Sequence, residues 1–200
     1  MFWDKVAWAY DIFADGLNKK TNRALCAEAA QLIRPEDTVL ECACGTGLLT
    51  KAIAPRCKCL IATDFSEKMQ RRAERKCKSF PNAEFLQADI LRLPFATGAF
   101  DAVVAANVIH LLEDPYAALC ELERVAKPGG RLILPTYLNR ARQGKTDSLS
   151  RAVGMAGANF KRQFTPASYR RFFTKAGYPD AKYLFCDGRI PCAVAILQKK

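Results

Sequence analysis

The segment Val39-Leu40-Glu41-Cys42-Ala43-Cys44-Gly45-Thr46-Gly47-Leu48 joins a short apolar run to a turn of small residues, and a helical pattern follows over residues 48–54. Such a turn lets a ligand approach the backbone closely, and the helix that follows offers free N–H groups. The next apolar run ends at Asp64, nineteen positions after Gly45. In a βαβ unit, a carboxylate at this separation reaches a ribose diol. The segment therefore predicts a βαβ unit with a nucleoside-type ligand at its first turn.

Strand-like and helix-like segments alternate along the chain. Strands are predicted over residues 38–40, 59–63, 83–86, 100–106, 131–134, 182–185 and 192–197, and helices over residues 21–33, 48–54, 115–126 and 166–176, with a further helix capped by Ser66. Residues 100–106 are apolar on both faces, as in a strand covered by helices on both sides. The last two strands are close enough in sequence for an antiparallel hairpin. We therefore expect an α/β fold: a doubly wound, seven-stranded, mostly parallel sheet with an antiparallel C-terminal hairpin and helices on both faces.

Length and composition indicate one Rossmann-like domain over residues 1–200. Half of the residues are hydrophobic and 26% are charged, which excludes a disordered chain. Two predicted helices within residues 2–33 precede the first strand, and residues 138–163 are predicted to form a lid or an insertion. No apolar run reaches the roughly 18 residues of a membrane span. The N-terminus lacks the order of a signal peptide, so we expect a cytoplasmic protein.

The nine cysteines are interpreted as small buried hydrophobic residues. An odd number of cysteines without a secretory signal argues against a disulfide framework. The pairs Cys42/Cys44 and Cys57/Cys59 have C-x-C spacing, whereas structural zinc sites use C-x2-C or longer spacing. We therefore expect no metal site.

A dinucleotide-binding dehydrogenase is an alternative interpretation of the glycine-rich turn. The pattern G-x-G-x-x-G, counted from Gly45, places Thr50 where the third small residue is needed. The acidic Glu41 at the end of the strand also suits a cationic ligand better than a pyrophosphate. These two details favour a cationic nucleoside over NAD.

Further motifs follow in order: Thr63-Asp64, Gln87-Ala88-Asp89-Ile90, Leu93-Pro94-Phe95, Phe100-Asp101, Val108-Ile109-His110-Leu111 and Lys127-Pro128-Gly129-Gly130-Arg131-Leu132. Together with residues 39–47, their order and spacing resemble the class I S-adenosylmethionine-dependent methyltransferases. The resemblance covers nearly the whole chain and is closest to the small-molecule branch that includes quinone-biosynthesis enzymes.

The resemblance implies S-adenosylmethionine as the cofactor and assigns residues to each part of it. The turn would line the methionine moiety, Asp64 would bind both ribose hydroxyls, and Asp89 would accept from the adenine amino group. Asn107 would lie near the sulfonium, and Tyr10 would close over the cofactor. The full implied set is Tyr10, Glu41, Ala43, Cys44, Gly45, Thr46, Gly47, Asp64, Phe65, Met69, Asp89, Ile90 and Asn107. Ala43 departs from the family pattern, which usually has glycine at that position.

The implied reaction is methyl transfer to a small-molecule acceptor by direct displacement. Alignment of the two reactants supplies most of the catalysis in such a reaction. His110 is the candidate catalytic base, and the alternative is a histidine ring packed at the start of a helix. Asp11 is a weaker candidate. Three other functions stay open: a cofactor-binding regulatory protein without turnover, a nucleic-acid methyltransferase and an NAD-binding dehydrogenase.

Charge bears on the nature of the acceptor. Residues 138–175 contain nine Lys and Arg and one acid, Asp147, within a chain of net charge +11. This charge favours an anionic acceptor or a membrane surface, and a solvated basic surface is an equal alternative. The basic residues of the helix after Ser66 are interpreted as a solvated face. No RNA-binding module accompanies the basic composition, so we expect a small, anionic or partly apolar acceptor and not a nucleic acid. The sequence leaves the oligomeric state open.

Overall fold

The structure is a computed structural model that describes residues 18–139 and 161–200. It contains seven strands and five α-helices in these ranges. In chain order they are α1 (Lys19–Gln31), β1 (Thr38–Cys42), α2 (Thr50–Ile53), β2 (Cys59–Asp64), α3 (Glu67–Cys77), β3 (Ala83–Gln87), β4 (Phe100–Ala105), α4 (Pro115–Val125), β5 (Ala126–Tyr137), α5 (Pro166–Lys175), β6 (Lys182–Cys186) and β7 (Cys192–Gln198). Two short 3-10 turns, Ala54–Arg56 and Ile109–Leu111, complete the described elements.

All seven strands form one sheet in the order β3-β2-β1-β4-β5-β7-β6. Strands β1 to β5 pair in parallel, and β7 pairs antiparallel with both β5 and β6. Strands β2 and β3 lie on one side of β1, and β4 pairs with the other side of β1. The carboxyl ends of β1 and β4 therefore meet at a topological switch point, where open α/β sheets bind their ligands. The predicted fold class is confirmed.

Helices cover both faces of the sheet. Val39 of β1 packs in one core cluster with Leu25 of α1 and Ile53 of α2. The neighbouring Leu40 points to the opposite face, where it packs in a second cluster with residues of α4 and α5. Ala73 of α3 packs on Ala62, which lies on the face of α1 and α2. Helices α1, α2 and α3 thus form one layer, and α4 and α5 form the other.

Side chains cap the longer helices as their sequences require. The Ser66 hydroxyl accepts a hydrogen bond from Met69 N at 3.2 Å, which confirms the predicted cap of α3. Asp114 accepts from two backbone N–H groups in the first turn of α4. Thr165 and Ser168 form a reciprocal capping box at the start of α5.

Two predicted boundaries are wrong. Strand β5 was predicted to begin at residue 131, after a turn over residues 127–130, but these four residues belong to the strand. The pairing of β5 with β4 shifts register between Phe100 and Ala102. Gly129, with φ of +73°, allows this irregularity, and its N–H donates to Lys199 O at 3.0 Å. The helix predicted over residues 48–54 is only Thr50–Ile53, because the 3-10 turn containing Pro55 follows it directly.

The first predicted helix and most of the predicted lid lie outside the described residues. The division into N-terminal helices over residues 2–33 and a lid over residues 138–163 therefore stays a prediction. Within residues 18–139 and 161–200, no helix combines the length and the apolar character needed to cross a membrane.

Candidate active site

The turn after β1 has an unusual backbone. Ala43, Gly45 and Gly47 all have positive φ, at 54°, 57° and 87°. Cys44 N donates to Thr63 O at 2.9 Å, so the turn stays attached to the end of β2. For Ala43 this left-handed conformation is strained, because a Cβ crowds the backbone there. The turn keeps its shape in spite of the alanine that replaces the usual glycine.

Gly47 is the tightest point of the turn. A Cβ on this residue would lie 3.0 Å from Cys77 Sγ and 3.2 Å from Ala73 Cα. Helix α3 therefore packs directly against the turn, and a side chain at Gly47 would force its neighbours to shift. This close approach explains why glycine is needed at Gly47 for packing as well as for its φ.

Asp64 connects the turn to the start of α3. One carboxylate oxygen accepts from Gly45 N at 2.8 Å, and the other accepts from Ser66 N at 2.9 Å. A carboxylate accepts through both of its oxygens, which suits a ligand that carries two neighbouring hydroxyls. The side chain is half-buried at the carboxyl end of β2. The acid and the turn predicted to act together are thus in direct contact.

Glu41, whose acidic side chain was expected to suit a cationic ligand, is buried at the end of β1. Its side chain is 2% exposed, and its Oε2 accepts from Thr50 Oγ1 at 2.6 Å. Burial, together with the nearby negative charge of Asp64, raises the pKa of Glu41 to about 8 despite the lowering effect of the Thr50 hydrogen bond. Glu41 is therefore largely protonated at neutral pH unless a cation lies close to it.

The residues expected around adenine lie in two different environments. Phe65 is 52% exposed, and Asp89 is also exposed, with its carboxylate accepting from Leu91 N at 2.9 Å. Gln87 Nε2 donates to Phe65 O at 2.9 Å, which ties the ends of β2 and β3 together. Met69 and Ile90 are buried. The structure thus presents Phe65 and Asp89 at the surface, whereas Met69 and Ile90 lie beneath it.

Asn107 follows β4 with a φ of 53°. Its N–H donates to Pro135 O at 2.8 Å, and its Oδ1 accepts from Tyr137 N at 3.0 Å. The side chain therefore lies at the carboxyl ends of β4 and β5. Sequence analysis missed Tyr137, whose hydroxyl donates to Asn22 Oδ1 at 2.7 Å and so joins β5 to α1. No local pattern in the sequence marks this contact.

His110 lies in the 3-10 turn that follows β4. It is 5% exposed, and burial lowers the pKa of its imidazole to about 4. The ring is therefore neutral at pH 7, and it is a weak base. Around it, Arg162 N donates to His110 O at 3.1 Å, and the Arg162 guanidinium donates to Leu112 O and Glu113 O. Burial favours the packing interpretation, and a catalytic role stays a prediction.

The remaining site predictions are distributed as follows. Cys44 and Thr46 are buried within the turn, and Tyr10 lies outside the described residues. Burial raises the pKa of the Cys42 and Cys77 thiols to about 12 and about 11. None of the nine cysteines forms a disulfide, and the described part of the chain holds no group of three or more His, Cys, Asp or Glu side chains arranged for a metal ion.

The residues present fit a cationic nucleoside cofactor. The left-handed turn gives close access to the backbone, and Asp64 and the exposed Asp89 offer acceptors for hydroxyl and amino groups. Phe65 offers an exposed ring beside them. All three features lie at the carboxyl ends of the strands, on the β2 and β3 side of the switch point.

Comparisons with known proteins point to methyltransferases. A methyltransferase domain family matches residues 40–134. The demethylmenaquinone methyltransferase of Renibacterium salmoninarum is 33% identical over 138 residues, which are 68% of this chain and 56% of that protein. The chain thus spans little more than half the length of this relative.

Solved structures share the fold at low sequence identity. A SAM-dependent methyltransferase from Aquifex aeolicus has a TM-score of 0.71 at 19% identity, over 98% of both chains. The N-methyltransferase NodS from Bradyrhizobium japonicum, in complex with S-adenosyl-L-homocysteine, has a TM-score of 0.70 at 21% identity, over 93% of this chain and 90% of that one.

The sheet order and the switch-point site define a Rossmann-like α/β protein with a nucleoside site. More specifically, residues 40–134 match a methyltransferase domain family, and the chain is similar to class I S-adenosylmethionine-dependent methyltransferases that include demethylmenaquinone methyltransferases. The resemblance stated from the sequence is confirmed.

Proposed function

We propose that this protein transfers a methyl group from S-adenosylmethionine to a small-molecule acceptor by direct displacement. The observation that carries the proposal is the contact between Asp64 and Gly45 at the switch point, which places a carboxylate beside the left-handed turn at the carboxyl ends of the strands. When bound, the cofactor supplies an electrophilic methyl group on a cationic sulfur.

The residues of the site have distinct proposed tasks. Asp64 accepts from the ribose hydroxyls, Asp89 accepts from the adenine amino group, and Phe65 packs on the adenine ring. The turn of residues 43–47 lies along the methionine moiety, and Asn107 lies on the acceptor side near β5. These residues bind and orient the reactants, which is the main contribution that such a displacement needs. A base is needed only for an acceptor that must lose a proton.

We propose a small, partly apolar acceptor related in chemical class to a demethylated quinone. The name of the Renibacterium relative supports this class. The positive charge of residues 138–175 led us to expect an anionic acceptor, but three of the described cations in this range already have partners within the protein. Lys161 pairs with Glu113, Arg162 donates to backbone carbonyls, and Arg170 stacks 4.6 Å above the Tyr183 ring. A cytoplasmic location stays part of this proposal.

Calorimetry followed by a transfer assay tests the proposal. We expect binding of S-adenosylmethionine and of S-adenosylhomocysteine, and no comparable binding of NADH. Labelled cofactor should then pass its methyl group to at least one member of a panel of quinols, phenols and amines. Binding without transfer over a broad panel would favour a regulatory protein, and tight NADH binding would favour a dehydrogenase.

A further inference from the structure

The layer formed by α1, α2 and α3 carries a large excess of positive charge. We define the basic face as residues 19–31, 50–58 and 67–78. It contains twelve Lys and Arg against three Glu, a net charge of +9 in a protein of net charge +11. The basic residues are Lys19, Lys20, Arg23, Lys51, Arg56, Lys58, Lys68, Arg71, Arg72, Arg75, Lys76 and Lys78.

These cations face outward along all three helices. Ten of the twelve are exposed, and Arg72 and Lys76 are half-buried. The inward positions of α3 are held by Met69, Ala73 and Cys77, which are buried against the sheet. Glu67 pairs with Arg71, but three acids cannot neutralise twelve cations. The basic face is therefore a broad positive surface and not a set of compensated ion pairs.

The opposite layer lacks this excess. Residues 113–125, which contain α4, have four acids and one Arg, and α5 has three cations and no acid, so the two segments together have a net charge of zero. The ordinary expectation for solvated helices is charge of both signs on both faces. A net charge of +9 on one layer favours a polyanionic partner for that layer.

The shape and composition of the basic face favour a bilayer surface over a nucleic acid. Among residues 18–139 and 161–200, the large hydrophobic side chains that are exposed are Phe65, Leu86, Leu91, Tyr116 and Phe185, and none lies on the three helices. The basic face thus offers no stacking platform for unpaired bases. It is a layer of helices lying side by side, and such a layer can approach a flat anionic surface over its whole extent.

The position of the basic face relative to the site supports the same partner. Helices α1 and α3 each lead away from the carboxyl edge of the sheet, because α1 precedes β1 and α3 follows β2. Lys19, Lys20 and Lys68 therefore lie near the edge where the site opens. Leu91, 43% exposed, follows β3 at that edge. Cations combined with bordering apolar side chains are typical of proteins that bind membrane surfaces.

We propose that the basic face docks this protein on anionic lipid bilayers, with the edge that bears the site next to the membrane. The value of such docking for catalysis rests on the proposed function, because a partly apolar acceptor partitions into lipid. Docking itself depends only on the charge of the face. Clusters of four to eight Lys and Arg suffice for recognition of anionic lipid headgroups.

Vesicle co-sedimentation of the full chain tests the docking. The probes are vesicles of pure phosphatidylcholine and vesicles with about one-third phosphatidylglycerol. The test variant combines Lys20→Glu, Arg75→Glu and Lys78→Glu. The control combines Arg171→Glu, Lys175→Glu and Lys182→Glu, three exposed cations off the basic face that change the net charge equally. Circular dichroism checks that both variants fold.

We expect the unchanged protein to bind only the anionic vesicles and to lose binding as salt rises, because surface charges are screened. The test variant should bind at least tenfold more weakly, and the control should stay within twofold. Equal weakening of both variants, or no binding to anionic vesicles, would overturn the proposal. Tighter binding to a duplex oligonucleotide than to anionic vesicles, at equal phosphate concentration, would assign the face to nucleic acid instead.

A parallel measurement separates this proposal from the proposed function. Calorimetry with S-adenosylmethionine should give the same affinity for the unchanged protein and the test variant, because none of the three substituted residues is assigned to the site. If the unchanged protein fails to bind anionic vesicles but binds the cofactor and transfers methyl groups, docking alone is refuted. Vesicle binding by a protein that never transfers a methyl group would refute the proposed function alone.

Discussion

The carboxylate of Asp64 accepts a hydrogen bond from the backbone N–H of Gly45 at 2.8 Å, across nineteen positions of sequence. This contact joins the two features from which the nucleoside site was predicted. The parallel pairing of Cys42 with Thr63 brings the ends of β1 and β2 side by side, and the turn then bends back onto the acid. The site is thus partly organised by its own hydrogen bonds.

Asp64→Ala should weaken S-adenosylmethionine binding by roughly tenfold to a hundredfold. Each hydrogen bond to a charged group contributes about 1.5–3 kcal/mol, and the variant also frees Gly45 N from its partner. Calorimetry measures the dissociation constant. Asp101→Ala is the matched control, because Asp101 also accepts from a backbone N–H, that of Thr38 at 2.9 Å, but lies at the opposite edge of the sheet. An unchanged dissociation constant in folded Asp64→Ala would contradict the assignment.

Ala43→Gly should stabilise the protein by about 0.5–1 kcal/mol. Relief of the left-handed strain at φ of 54° exceeds the entropy that glycine adds to the unfolded chain. Urea unfolding measures the change. Ala99→Gly, at a half-buried alanine with an ordinary backbone, should instead be destabilising by a similar amount. Destabilisation by both substitutions would show that Ala43 is not strained.

Gly47→Ala should destabilise the protein by about 2–4 kcal/mol, because its Cβ would overlap Cys77 and Ala73. Gly129→Ala provides the comparison. Gly129 also has positive φ, at +73°, but a Cβ there meets no atom within 4 Å, so only the backbone strain of about 1 kcal/mol applies. Denaturant unfolding of the two variants separates packing from strain, and equal losses would argue against close packing at Gly47.

Glu41→Gln should stabilise the protein at pH 7 by about 3 kcal/mol and leave it unchanged near pH 4.5. The pKa of Glu41 is about 8 in the folded protein, against an ordinary value of 4.5. Between these values the unfolded chain releases a proton that the folded protein keeps, so this residue lowers stability as pH rises. Unfolding curves at several pH values test this, and equal stability of the two proteins at pH 7 would refute the raised pKa.

The same residue should couple cofactor binding to proton release. A sulfonium near Glu41 favours its anion, so its pKa should fall when S-adenosylmethionine binds. Calorimetry in buffers of different ionisation enthalpy should detect the released proton near pH 7.5. S-adenosylhomocysteine lacks the sulfonium charge and should release less. Equal release by both ligands would place the sulfur away from Glu41.

His110→Asn should make the stability of the protein less sensitive to acid. The pKa of His110 falls from 6.5 to about 4 on folding, because burial disfavours its cation. Between these values the unfolded chain binds a proton that the folded protein does not, so stability falls by up to about 3 kcal/mol as pH drops from 6.5 to 4. The measurement is the difference in unfolding free energy between variant and parent. A parent with the same acid dependence as the variant would contradict the depressed pKa.

Local patterns in the chain were enough for the type and order of the elements. Apolar runs, small-residue turns and the Ser66 cap act over a few positions, so the alternation of strands and helices could be predicted from them. The position of Asp64 close to the β1 turn followed from that alternation. One boundary error falls beside Pro55, which ends a helix locally, and the other falls where a non-local partner intervenes. Residues 127–130 extend β5 because Lys199 N donates to Gly130 O and Gly129 N donates to Lys199 O.

Other features arise only when distant segments pack together. The pKa of Glu41 depends on its burial under the helix layer, which the identity of the residue does not reveal. Asn107 is oriented by Tyr137, thirty positions away, and Tyr137 reaches Asn22 across 115 positions. The basic face exists because three separated helices share one side of the sheet. Sequence periodicity describes each segment alone, whereas burial, hydrogen-bond partners and summed surface charge depend on which segments become neighbours.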